Sequence, residues 1–275
     1  MDISETLEIN KHQIVNKSEI IKQFEKEKNR DFSLSSGAKK FDEVLGGGFR
    51  LSKKYLIFGA NKTGKTQLCH QLCVQAYNQF SKFFKTSTRD NRQFIYYFDT
   101  ENTFRPERLK ELKKTSDIEY KKILKTILVS KIMSNSALLL VLKELENIID
   151  LKNISILIID TINNHYNSEL ADKRISSVTA KKTFLEILKK INYLSKNCRL
   201  ITIATAQVTS KFTGGASIRV LPIGHHLLNH YFSEYIHLDY KSEDKRYVHL
   251  VNSLILPEKR LLYQITSTGI QDYKF

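Results

Sequence analysis

Residues 59–66 read Gly-Ala-Asn-Lys-Thr-Gly-Lys-Thr, a G-x-x-x-x-G-K-T spacing with Gln67 directly after it. Glycine at the first and sixth places, Gly59 and Gly64, lets consecutive backbone N–H groups turn inward and face an anion. Ala60, Asn61, Lys62 and Thr63 supply the amides between them. Lys65 is placed to reach the β- and γ-phosphates of a nucleoside triphosphate such as ATP, and the Thr66 hydroxyl to ligate Mg²⁺. That chemistry requires a strand before the loop and a helix after it. The apolar run 55–58 suits a buried strand, and 67–80 has apolar spacing suited to a helix, whose start would add its positive dipole end. The plain alternative is a glycine turn with a lysine nearby.

Three other side chains could act on a bound triphosphate. The strand candidate 155–160 ends in Asp160, and an acid at the carboxyl end of a buried parallel strand lies beside such a loop, where it would hold Mg²⁺ through water. An aspartate there could equally cap a helix. The strand candidate 94–99 runs into Glu101, which falls near the γ-phosphate position and could orient and deprotonate an attacking water. Strand-end acids are also common without any such duty. Gln207 closes the candidate 199–207. It could hydrogen-bond the γ-phosphate and lose that bond after hydrolysis, biasing the next loop between two states, or simply be a polar residue leaving a strand.

To position these groups the chain must build alternating strands and helices. Strands are expected at 55–59, 94–99, 126–130, 155–160 and 199–207, and helices at 67–80, 105–115, 134–149 and 178–196. The strands are apolar without strict alternation, which predicts a mostly parallel central sheet with helices on both faces, an α/β core. Beyond residue 234, the segments 235–241, 247–251 and 261–266 read as strands joined by polar turns, hence an antiparallel C-terminal extension. Residues 18–29 read as a short charged helix or linker. The division expected is an N-terminal linker or helical segment over 1–35 and an ATPase core over 36–275.

The 275 residues are 41% hydrophobic and contain three prolines and no low-complexity tract. No apolar run nears the roughly 20 residues that span a bilayer, so no membrane partner is expected. The N-terminus lacks the basic-then-apolar order of a secretory signal. Three cysteines make no disulfide framework, and an intracellular, reducing setting is expected. Cys69 and Cys73 sit one helical turn apart, a spacing that suits buried packing as well as a metal. The formal charge of +15 favours a polyanionic partner, nucleic acid first. The excess of lysine could also simply solvate the surface. The connection 208–223 holds Lys211, Phe212, Gly214, Gly215 and Arg219. Basic side chains among glycines suit a phosphodiester chain and Phe212 could stack on a base, although a passive loop fits nearly as well.

The strings IFGANKTGKTQLCHQLCV, YYFDTENTFRPERL, ILIIDTINNHY, ITIATAQV and LPE followed by ITSTGI, led in by SGAKKFDEVLGGGF at 36–49, occur in the order seen in the RecA/RadA-type recombinases. The resemblance spans about 36–275, and DTENTFRPERL is its most specific piece. It implies a RecA-like ATPase core that binds ATP and Mg²⁺ and assembles as a homo- or hetero-oligomer on single-stranded DNA. Under it, Lys65 and Thr66 are phosphate-loop residues and Asp160 the acid associated with Mg²⁺. Glu101 becomes the water-activating glutamate, and Gln207 reports the γ-phosphate to a second DNA loop at 208–223. A first DNA loop would fall near 167–177, with Lys173 and Arg174 as its basic residues.

The chain departs from the leading members of that family. Some 35 residues stand where those carry a helical DNA-binding domain, and Ser18-Glu19-Ile20-Ile21 lacks their Phe-x-x-Ala polymerisation element. Ala171-Asp172-Lys173-Arg174 replaces a glycine- and arginine-rich loop, Ala206 an asparagine, and Asn252-Ser253-Leu254 an Asp-Ser-Pro element. Leu221-Pro222-Ile223-Gly224-His225 is closer to the paralogue type. These departures weigh against filaments of this chain alone and leave nucleotide binding intact. The expectation is a paralogue, similar to archaeal RadB or the eukaryotic accessory paralogues. It would assist a main recombinase or another paralogue in recombination and repair, in the cytoplasm or nucleoid of a prokaryote or the nucleus of a eukaryote. Its hydrolysis would be weak or partner-dependent. The alternatives are an autonomous strand-exchange recombinase and a regulatory ATPase of the same fold that needs no DNA.

Overall fold

The computed structural model describes residues 32–83, 94–113, 116–149, 155–198, 200–210, 220–242 and 244–274. The segment 18–29 lies outside them. The described strands are β1 (Ser33–Leu34), β2 (Phe49–Arg50), β3 (Lys54–Phe58), β4 (Ile95–Asp99), β5 (Ile127–Lys131), β6 (Ser155–Asp160), β7 (Leu200–Ala206), β8 (Val208–Ser210), β9 (Val220–Pro222), β10 (Glu234–Ser242), β11 (Lys245–Asn252), β12 (Lys259–Thr266) and β13 (Gly269–Asp272). The helices are α1 (Lys39–Val44), α2 (Lys65–Phe83), α3 (Pro106–Lys113), α4 (Asp117–Lys125), α5 (Asn135–Ile148), α6 (Asn164–Ala171), α7 (Ser177–Asn197) and α8 (His225–Leu228).

Nine strands form one sheet in the order β13-β12-β11-β10-β3-β7-β6-β4-β5. Pairing is parallel from β10 to β5 and antiparallel from β10 to β13. The fold is therefore α/β with a mostly parallel central sheet and antiparallel C-terminal strands, a RecA-like core. Every residue of β3, β4, β6 and β7 is buried, which is why these strands read as continuous apolar runs. Leu56, Phe58, Tyr96, Phe98, Leu157 and Ile159 pack with Leu138, Leu142 and Leu145 of α5 and Phe184, Ile187 and Ile191 of α7. Tyr97 points the other way, toward His70 of α2.

Local signals placed the helix starts. Ser116, Ser134 and Ser176 cap α4, α5 and α7, each hydroxyl accepting the N–H three residues on. Three segments differ from expectation. The stretch after 115 is helix α4, because Ser116 and Glu119 restart the helical pattern. The first loop near 167–177 is shorter than expected, since α6 occupies residues up to Ala171. The connection 208–223 is no plain loop at its ends: β8 and β9 pair antiparallel, Val208 opposite Pro222.

The extension joins the core through β10, whose His237 lies beside Phe58 of β3 and opposite His249 of β11. The His237 ring stacks on Phe58, with centroids 5.0 Å apart. Burial lowers its pKa to about 4; the nearby Arg260 and His249 act in the same sense and Asp239 opposes them. A folded pKa below the unfolded value of about 6.5 means the fold favours neutral imidazole. The associated stability is complete above that value and is lost as pH falls from 6.5 through 4. Urea melts should show the parent losing about 3 kcal/mol more between pH 7 and pH 4 than His237→Gln does. Equal losses would mean that His237 titrates normally in the fold.

Candidate functional site

The loop 59–64 leaves β3 between its neighbours β7 and β10 and enters α2. A Cβ at Gly59 would lie 2.1 Å from the carbonyl oxygen of Leu238 in β10, so the backbone of the extension demands glycine there. The extension also grips the loop directly. The Tyr263 hydroxyl donates to the Thr63 carbonyl at 2.5 Å, and Arg246 Nε to the Lys62 carbonyl at 3.3 Å. Ile265 lies against Gly64, whose φ of 101° suits glycine.

Lys65 Nζ donates to the carbonyls of Gly59 (2.8 Å) and Ala60 (3.1 Å). Burial lowers its pKa, while the facing carboxylates of Asp160 and Glu101 hold it up. Asp160 is 1% exposed. Tyr97 donates to its Oδ2 at 2.9 Å, the Thr205 hydroxyl donates to Oδ1, and the Thr66 hydroxyl also bonds its carboxylate. Burial raises the Asp160 pKa against those donors. The Asp160–Thr161 peptide is cis.

Glu101 and Gln207, 106 residues apart, meet. Glu101 Oε1 accepts from Gln207 Nε2 at 2.6 Å and from the Thr161 hydroxyl at 2.7 Å. Asn163 holds Gln207 in place from behind: its Oδ1 accepts the Gln207 N–H at 2.9 Å, and its Nδ2 donates to the carbonyls of Gln207 (2.9 Å) and Ile223 (3.1 Å). Asn163 thereby links Gln207 to the end of the β8–β9 hairpin.

The backbone that carries Glu101 is tied down by two buried residues. The Asp99 carboxylate accepts the N–H groups of Glu101, Thr103 and Phe104 at 3.2, 3.1 and 2.9 Å. His70 Nε2 accepts the N–H of Arg105 at 2.9 Å. Neither residue was marked as a site residue by spacing, since Asp99 reads as a strand end and His70 as one more residue of a helix. Arg108 was also missed. Its guanidinium donates to Gln67 Oε1 (2.7 Å), Glu111, and the carbonyls of Ser267 (2.8 Å) and Thr266 (3.2 Å).

These parts open on one cavity of about 430 Å³ lined by Asn61, Lys62, Gly64, Lys65, Thr66 and Gln67 on one side and Glu101, Arg108, Gln207 and Arg246 on the other. Asp160 lies buried beneath it. The donors suit a triphosphate with Mg²⁺: an ammonium, the loop amides and two guanidinium groups for the anion, with a hydroxyl and a buried carboxylate for the ion. Cys69 and Cys73 are fully buried, and among the described residues no group of three or more His, Cys, Asp or Glu is placed to hold a metal through those side chains alone.

Of the expected DNA contacts, Lys173 and Arg174 do not line this cleft. Lys173 and Arg174 are exposed, and Arg174 forks onto Asp172, Nη2 to Oδ2 at 2.8 Å, a surface pair that solvent screens. Lys211, Phe212 and Arg219 lie outside the described residues.

A glycine-turned G-x-x-x-x-G-K-T loop at the carboxyl end of a central parallel strand, facing a strand-end acid and a glutamine, defines a RecA-like P-loop core. A family profile described as Rad51 matches residues 27–273, and the chain belongs to that family. It is 27% identical over 254 residues to the DNA repair and recombination protein RadA of Metallosphaera sedula, covering 91% of this chain and 75% of that protein. It is 26% identical over 252 residues to RadA of Methanococcus voltae (90% and 78% covered). It is 27% identical over 255 residues to the meiotic recombination protein DMC1 of Saccharomyces cerevisiae (89% and 72% covered).

Proposed function

We propose that this Rad51-family chain binds ATP with Mg²⁺ and works on single-stranded DNA as a recombinase paralogue. In this reading it assists a main recombinase or another paralogue in homologous recombination and repair, as part of a homo- or hetero-oligomer. The observation that carries the nucleotide part is the convergence of Lys65, Thr66, Glu101 and Gln207 on one cavity with Asp160 beneath it. Lys65 exchanges its two carbonyl partners for phosphate oxygens, and the loop amides take the rest. Thr66 would ligate Mg²⁺ directly and Asp160 through water; when bound, the ion draws negative charge from the phosphate oxygens. Glu101 orients a water and accepts its proton at Oε1 or Oε2. Gln207 Nε2, now on Glu101, is the donor free to move to the γ-phosphate. That exchange is passed through Asn163 to the hairpin that flanks the basic connection 211–219. Lys173 and Arg174, with Lys211, Phe212 and Arg219 in that connection, are the proposed DNA contacts.

The paralogue reading is supported by the departures at Ala206 and 252–254. Titrating single-stranded DNA against salt with MgATP present tests the DNA part. Each phosphate neutralised should steepen the log–log slope by about 0.7. No binding at low salt would favour a regulatory ATPase that needs no DNA. Long regular filaments of this protein alone in electron micrographs would favour an autonomous recombinase.

A further inference from the structure

We propose that His70 is a positioning residue that holds Glu101 in register with the phosphate loop, by bridging the Thr66 carbonyl to the Arg105 amide. The inference rests on the ATPase reading above. His70 Nδ1 lies 2.8 Å from the Thr66 carbonyl and Nε2 lies 2.9 Å from the Arg105 nitrogen. A carbonyl can only accept and an amide N–H can only donate. The ring is therefore neutral, with its proton on Nδ1 and the Nε2 lone pair aimed at Arg105. Its face lies flat on Phe104, centroids 5.1 Å apart and planes 15° from parallel, and the residue is 2% exposed. The ring has one orientation and both polar atoms are engaged.

The bridge joins the two halves of the reactive centre. Thr66, the residue that would ligate Mg²⁺, is in the first turn of α2, and Arg105 ends the segment 100–105 that carries Glu101. That segment is irregular, so its amides need partners from elsewhere. Asp99 accepts three of them and fixes the segment to its own strand. His70 is the acceptor that fixes it to the helix of the phosphate loop. Without His70 the carboxylate would still be tethered to β4, while its distance from the phosphates would be set less tightly. A misplacement near 1 Å can cost about 100-fold in rate while leaving ground-state binding largely intact.

A buried histidine that merely fills space would behave otherwise, and three variants separate the cases. His70→Phe keeps the stack on Phe104 and removes both bonds. His70→Asn keeps a donor for Thr66 and removes the acceptor at the Nε2 position. His70→Gln restores an acceptor near that position. Nucleotide affinity by calorimetry should stay within about 2-fold of the parent in all three. Single-turnover hydrolysis should fall 10- to 100-fold in His70→Phe and His70→Asn and recover substantially in His70→Gln. Hydrogen exchange of the 103–105 amides should quicken in the first two variants, with the loop amides unchanged. Equal losses in affinity and rate, no recovery by glutamine, or unchanged exchange at 103–105 would overturn the proposal. Should the parent bind MgATP and never hydrolyse it, the role of Glu101 falls, and the exchange measurement still decides whether His70 anchors the segment.

Discussion

Replacing Lys65 with alanine should lower the affinity for MgATP by at least about 100-fold, with the fold retained. The Nζ group donates to two backbone carbonyls and faces the carboxylates of Asp160 and Glu101, which hold its pKa up against burial. An ammonium held there approaches phosphate oxygens without first losing a full hydration shell. Exchanging two neutral carbonyl acceptors for fully charged phosphate oxygens gains about 1.5 kcal/mol per bond, and two make about 3 kcal/mol, or two decades of affinity. Isothermal titration of MgATP measures the loss, and thermal melts followed by circular dichroism check the fold. An alanine variant that binds as tightly as the parent would show that the turn 59–66 does not grip phosphate, and the proposed function would go with it.

Glu101→Gln should retain nucleotide binding and reduce hydrolysis by about 10²- to 10⁴-fold, the range for losing a general base. The amide is nearly the same shape, and its oxygen can still accept from Thr161 and Gln207, the two donors now on Glu101 Oε1. What it lacks is a basic site for the proton of the attacking water. Phosphate release after rapid mixing gives the rate, and calorimetry the affinity. If the glutamine variant turns over at the parental rate, the carboxylate is a prop for Gln207 and another group handles the proton. Because Gln207 leans on the same oxygen, Glu101→Ala should additionally release Gln207, and the two variants should not behave alike.

Much of the core could be read along the chain. The four central parallel strands are buried on both faces, so their residues are apolar without alternation. The helices expected at 134–149 and 178–196 form, opened by Ser134 and Ser176, whose hydroxyls satisfy otherwise orphaned amides, whereas the helix opened by Ser116 was not expected. The phosphate loop is legible from its spacing, and Gly64, at a φ of 101°, answers a local demand for turning backbone. Asp160 and Glu101 could be named because both follow the carboxyl ends of parallel strands, and parallel strands with returning helices bring those ends to one edge. The Gln207 position follows from the same rule.

Other parts of the site depend on contacts between residues far apart in the chain, and no local pattern records them. Tyr263 reaches Thr63 across 200 positions, and the Leu238 carbonyl excludes any side chain at Gly59. The C-terminal strands, which read as an appendage, are thus one wall of the cleft, placed there by the parallel pairing of β10 with β3. Asp99 and His70 are invisible as supports until the segment 100–105 is seen folding back over α2. Arg174 looks like a free cation in the sequence and is paired with Asp172 in the fold. Residue types and turn sterics act over a few neighbours and are therefore written into the chain. Which distant side chains share a cavity depends on sheet order and register, and these emerge only when the whole core packs at once.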